Sequence, residues 1–167
     1  MRASKPTFVL ALLVAGISTA LASAKEEKVS LDKVPAKVVA AEKAKWPKAQ
    51  ILQIEREEEH GKTLFEFGLK DGTRKLDVSF FADGALAAVE ETIVDKDVPA
   101  PVKSALEKKH PKANVLVIEK VVEGEGKSAK TFYEYKIKTA DGGLELKFDS
   151  AGKLVGEEQK KGDEINE

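Results

Sequence analysis

The chain has 167 residues, 42% of them hydrophobic, with 28 basic and 29 acidic residues and no cysteine. A chain of that size and composition forms a globular protein of one ordinary domain or two very small ones. The near-neutral charge excludes a basic nucleic-acid footprint, and the missing cysteine excludes disulfides, a lipoprotein attachment site, thiolate metal sites and a cysteine nucleophile.

The first predicted element is a leader. Arg2 and Lys5 flank the start of the apolar run FVLALLVAGISTAL, and ASA at positions 22–24 is a small-x-small cleavage pattern, so residues 1–24 read as a signal peptide cut after Ala24. The run falls short of the roughly 20 residues a bilayer span needs. The mature protein is therefore expected in the periplasm or secreted, with no membrane segment after cleavage.

A helix comes next. VPAKVVAAEKAKWP sets Val34, Val38 and Ala41 at helical spacing, tolerates Pro35 in the first turn, offers Asp32 as a nearby cap and stops at Pro47. Beyond it the period becomes two. LFEFGL turns Phe65, Phe67 and Leu69 inward and Glu66 outward; KLDVSF turns Leu76, Val78 and Phe80 inward and Asp77 and Ser79 outward. Glycine-bearing turns, KDGT and then ADG, separate these strands.

The chain then repeats itself. Laid on Val98–Glu119 with a shift of 64, Val34–Glu55 is identical at twelve of twenty-two positions. From Thr63 onward the shift is 68, with Glu66, Lys70, Leu76, Phe80, Gly84, Leu86 and Glu90 recurring. The four extra residues fall where EHGK becomes EGEGKSAK, a hairpin loop, where insertion costs little closure entropy. The second copy has its own helix on Val98, Val102 and Ala105, then inward Tyr133, Tyr135 and Ile137, and Leu144, Leu146 and Phe148.

The expected fold is α+β: two tandem repeats, each one helix packed on a four-stranded antiparallel meander, over residues 29–93 and 94–159. Residues 160–167 are expected to be a disordered tail, and the whole stretch GEEQKKGDEINE reads as mobile by its charge. A unit of about sixty residues is marginal by itself, which favours docking of the copies. The face of each sheet away from its helix is expected to stay wet.

The VPxxV helix start, the helix ends WPKA and HPKA, the strands FEFGLKDG and YEYKIKTADG, and the turns FADGAL and FDSAGKL resemble PepSY-like domains of the beta-lactamase-inhibitor-protein-like group. The resemblance covers the mature chain. It implies an exported, non-catalytic module that binds a protein or peptide and in some members inhibits an exported enzyme through an aromatic sheet face. No inhibitory residue carries over, because the outward positions here are charged: Glu66, Lys70 and Asp77 in one copy, Glu134, Lys136, Lys138, Glu145 and Lys147 in the other. These, with the loop from Glu123 to Lys130, form the expected partner-contact surface.

No catalytic, cofactor or metal residues are assigned. His110 takes the place of Trp46 and reads as a helix-end ring packed on the sheet. With His60 it makes only two histidines, too few for an ordinary zinc site. EREEEHG at 55–61 is dense in carboxylates but lacks the EF-hand spacing, and GEGKS at 124–128 lacks the first glycine of a phosphate loop. The alternative function is sensing of a cation or small ligand by the acidic loops EREEEHG and EGEG.

Overall fold

The computed structural model describes residues 27–59, 61–140 and 142–160. The leader, its cut site, His60 and positions 161–167 lie outside the described residues.

Prolines bracket each helix. Pro35 precedes α1 (Ala36–Lys45), and Pro47 follows its C-cap Trp46; Pro99 precedes α2 (Ala100–Lys109), and Pro111 follows its C-cap His110. Asp32 does not cap α1, contrary to expectation. The cap position is Pro35, and Asp32 lies in a 3-10 turn over Leu31–Lys33 where its carboxylate accepts from Ser30 Oγ.

After a two-residue strand β1 (Glu27–Lys28), the first meander is β2 (Gln50–Glu59), β3 (Lys62–Asp71), β4 (Arg74–Phe81) and β5 (Leu86–Thr92). The second is β6 (Asn114–Glu123), β7 (Lys130–Thr139), β8 (Gly142–Asp149) and β9 (Leu154–Lys160). Helix and first strand recur at the 64-residue shift and the other strands at 68. The bulges recur too, at Ile51/Gln53 and Val115/Val117 and again at Ser79/Phe80 and Lys147/Phe148. β9 reaches Lys160, paired with Gly143, so the first part of GEEQKKGDEINE is sheet and not mobile tail. Its backbone completes the ladder of β8 whatever the charge of its side chains.

The two meanders do not stack. β5 pairs antiparallel with β6 from Ala88↔Glu123 to Thr92↔Glu119, so all nine strands form one sheet in chain order. Each half keeps its own core. Val34, Val38, Ile54, Phe65, Phe67, Leu69, Leu76, Val78 and Phe80 form one, and Val98, Val102, Leu106, Tyr133, Tyr135, Ile137, Leu144, Leu146 and Phe148 the other. The alternation expected from the sequence is the alternation observed. Ring edges meet ring faces inside both cores, Phe67 on Phe80 at 6.0 Å and Tyr135 on Phe148 at 6.1 Å.

The copies differ at one telling place. Leu106 of α2 belongs to the second core, but its counterpart in α1 is Glu42, only 2% exposed, whose burial holds its carboxyl above the usual carboxylate range. Glu42→Leu is expected to stabilise the protein by about 2 kcal/mol, exchanging carboxyl desolvation for apolar burial. Denaturant titration of the two proteins at neutral pH checks this; equal or lower stability would show that Glu42 has a compensating partner.

Candidate functional site: the helix-free face

Both helices cover one face of the sheet. On the other, register brings together side chains far apart in sequence: Glu55↔Glu66↔Ser79 across β2–β4, Asp77↔Glu90↔Val121↔Phe132 across β4–β7, and Thr92↔Glu119↔Glu134↔Lys147 across β5–β8. All eight predicted contact residues lie on this face. Glu66, Asp77, Glu134, Lys136 and Lys147 gather around the β5–β6 seam. Lys70 and Lys138 are exposed near strand ends, and Glu145 pairs outward with Glu158 on the edge strand.

The middle of this face is not wet. Ser79, Glu119 and Glu134 are 8%, 4% and 6% exposed, and Glu66, Asp77, Lys136 and Lys147 are half-buried. Strands stand about 4.8 Å apart, so in the centre of a nine-stranded sheet long side chains on both sides shield one another. Separate four-stranded sheets would have placed these groups nearer an edge.

The charges are arranged unequally. Lys147 Nζ bridges Glu134 Oε1 and Glu123 Oε1, each at 2.8 Å, and Lys136 Nζ stands 3.4 Å from Glu119 Oε2. The counterpart of Lys136 in the first copy is Gly68 and that of Lys147 is Ser79. Glu66 is met by the Ser79 hydroxyl, which donates to Oε2 at 3.1 Å, and not by a lysine there. Burial first, then the charges of Glu57 and Asp77, push the Glu66 carboxyl up to about 8. For Glu90, burial and then Glu134, Glu66 and Glu119 push it up to about 9, against the pull of Lys147. Burial also raises Asp77 and Glu119 above the usual carboxylate range, with Lys136 opposing both shifts. Removing Lys147 would strand two carboxylates. Lys147→Met is expected to cost about 2 kcal/mol at neutral pH, below the usual 3–5 for a buried pair because the site is partly open. Denaturation of the variant measures it, and unaltered stability would mean the three groups are independently solvated.

Beside the charges lies an apolar strip that the sequence reading missed. Leu64 pairs with Phe81 and Val121 with Phe132, all four on the helix-free face. Lys62 Nζ lies 5.0 Å from the Phe81 ring centroid and Lys147 Nζ 5.0 Å from that of Phe132. A groove of about 450 Å³ crosses the seam, with Glu57, Leu64, Phe81 and Glu90 on one side and Val121 and Lys147 on the other. The signal was present in the doublets FF at 80–81 and FY at 132–133, where alternation sends one ring to each face.

Two acidic clusters have carboxylate oxygens within 4.8 Å of one another: Glu55, Glu57 and Glu66, and Glu90, Glu119 and Glu134. The second already holds two lysine partners. EGEG does not join EREEEHG; Glu123 goes to Lys147 and Glu125 to Lys45 on α1. His110 lies at the end of α2, its Nε2 buried without a hydrogen-bond partner, on the opposite face from the carboxylates. No described helix is long and apolar enough to cross a membrane.

A helix followed by a four-stranded meander, stated twice and joined edge to edge, defines a tandem α+β module with one open sheet face. The chain belongs to the family described as "Putative beta-lactamase-inhibitor-like, PepSY-like", whose model matches residues 20–86 and again 63–156. Solved structures share the fold. One described as a putative periplasmic protein of Bacteroides eggerthii is 16% identical, with 75% of this chain and 88% of that one covered and a TM-score of 0.58. A BLIP-like protein of Bacteroides fragilis is 18% identical, covering 74% and 85%, with a TM-score of 0.55. A protein of Bacteroides ovatus is 18% identical, covering 76% and 88%, with a TM-score of 0.56. No curated protein sequence matches the chain.

Proposed function

We propose that the chain is an exported, non-catalytic binding module that holds a protein or peptide against the helix-free face of its sheet, in the manner of an inhibitor of a periplasmic or secreted enzyme. The observation that carries this reading is the groove across the seam, lined by half-buried Phe81 and by buried Leu64 and Val121 inside a ring of charge. Aromatic anchors within a polar rim are the anatomy of an energetic hot spot. Non-catalysis is supported by the site's chemistry: Glu119, Glu123 and Glu134 are engaged by lysines and Glu66 by a serine, and His110 is on the other side of the sheet. Export is supported by the leader sequence and by the periplasmic description of structural neighbours.

Immobilised protein is expected to retain a defined exported protein, and Phe81→Ala with Phe132→Ala to weaken retention by about 2 kcal/mol, roughly thirtyfold. Both rings are half-buried, so the fold should survive. Retention unchanged by both substitutions would remove the sheet face from the account. Lys136 and Lys147 are unsuitable probes, since they neutralise buried glutamates.

A second reading, cation sensing, is favoured by the spacing of Glu55, Glu57 and Glu66, two of them from EREEEHG. Calcium that binds only the folded state must raise the thermal midpoint. An unchanged midpoint at millimolar calcium would eliminate it.

A further inference from the structure

On the helix side, a second cleft of about 300 Å³ opens between α2, the turn before it and the start of β6. Tyr135 lies at its floor. The residue is 1% exposed and its hydroxyl has no hydrogen-bond partner, a costly condition for a buried polar group. Burial and the nearby Asp95 charge hold the phenol up to about 12, so it is a neutral donor at physiological pH. Leu106 and Val115 supply apolar walls, and Asp95 is tied to Lys103 at 2.8 Å. Glu107 and Lys112 complete the mouth. Lys112 is the one non-glycine residue among those described with a positive φ, +60°, a conformation that costs energy and tends to persist at functional sites.

The duplication supplies an internal control. At the corresponding positions the first copy has Phe67 for Tyr135, Leu31 for Asp95, Val39 for Lys103, and Lys48, without a positive φ, for Lys112. Packing alone therefore requires none of these polar groups. The second copy has acquired, under the same helix, a hydroxyl, an ion pair and a strained lysine around one cavity near the lower end of ligand-pocket sizes.

We propose that this cleft binds an amino-acid-sized carboxylate with an apolar body, the carboxylate received by the Tyr135 hydroxyl and the Lys112 ammonium and the apolar part lying on Leu106 and Val115. Two sources share that chemistry, a free amino acid and the C-terminal residue of a peptide. Glu107, which lines the same cleft, favours a free ammonium, and hence the free amino acid.

The test is a titration followed by backbone amide shifts of Asp95 and Lys112, with leucine, N-acetylleucine and N-acetylleucinamide as probes. Saturable shifts with either carboxylate, none with the amide, and about tenfold weaker binding in Tyr135→Phe, as expected for one charge-assisted hydrogen bond, would support the site. Tighter leucine points to a free amino acid and tighter N-acetylleucine to a chain end. Tyr135→Phe should stay folded, because Phe67 occupies the equivalent place, and its melting curve verifies that. No saturable shift, equal binding of the amide, or binding indifferent to Tyr135→Phe would overturn the proposal.

Discussion

Gly152→Ala is expected to destabilise the protein by about 4 kcal/mol. Gly152 sits in the β8–β9 turn at φ +84°, and a Cβ there would lie 2.4 Å from the Pro101 carbonyl oxygen and 2.8 Å from its carbon. The obstacle is backbone in the first turn of α2, which cannot swing aside as a side chain could. The left-handed conformation adds roughly 1–2 kcal/mol for any residue with a Cβ. The first copy repeats the arrangement more loosely: at Gly84, φ +89°, a Cβ would meet the Lys37 carbonyl oxygen at 2.9 Å. At Gly72, φ +64°, it would meet nothing within 4 Å. Alanine at positions 152, 84 and 72 should therefore give a descending series of losses, about 4, 2 to 3 and 1 kcal/mol, by denaturant titration. Equal losses at 152 and 72 would mean that conformation alone matters and that helix and turn are not in close contact. The consequence reaches the cleft, since α2 forms its wall and this turn fixes where α2 lies.

The same turn shows what could be read from sequence. ADG and SAG were legible as turns because glycine in that context has a local meaning, and inward Phe65, Phe67, Tyr133 and Tyr135 were legible because alternation is local too. The joining of the copies was not. Glu90 and Glu158 are equivalent in the repeat, yet Glu90 lies half-buried on β5, covered by β6, and Glu158 is exposed on the edge strand β9. No periodicity distinguishes them, because edge-to-edge pairing of β5 with β6 is a long-range choice. Everything distinctive about the candidate face follows from that choice: the shielding of Glu119 and Glu134, the groove, and the raised pKa of Glu90. Phe81 goes unassigned for a smaller reason: the alternating stretch KLDVSF ends at Phe80, one residue before it. Glu42, placed where its copy has leucine, could be found only by asking which helix positions face the sheet.

Stability is expected to fall as pH rises from mildly acidic to alkaline, and Glu90→Gln to remove part of that fall. Burial pushes the Glu66 carboxyl up to about 8 and that of Glu90 up to about 9 in the folded state, both above the 4.5 of a free glutamate that applies when the chain is unfolded. A carboxyl that binds its proton more tightly in the folded state favours folding most when both states are protonated. Its contribution is complete below about pH 4.5 and is lost as pH climbs through the folded values. The raised carboxyls of Asp77 and Glu119 act in the same direction. Lys136 and Lys147, raised above the usual lysine value by their glutamate partners after burial is set against them, remain charged in both states across this range and do not oppose it. The ideal slope is about 1.4 kcal/mol per pH unit for each group, but side chains on an open face can turn toward water, so a loss on the order of 3 kcal/mol between about pH 6 and pH 9 is expected. Glu90→Gln keeps the shape and removes the proton requirement, so it should be more stable by about 2 kcal/mol near pH 8 and show a shallower slope. Glu134→Gln is the contrast: it deprives Lys147 of a partner at 2.8 Å and should be less stable than the parent at neutral pH. Denaturant titrations of the three proteins across the pH range decide it. A flat profile for the parent, or a Glu90→Gln protein weaker than the parent, would mean that the seam carboxylates reach water, and that the face behaves as two solvated sheets and not as the shielded centre of one.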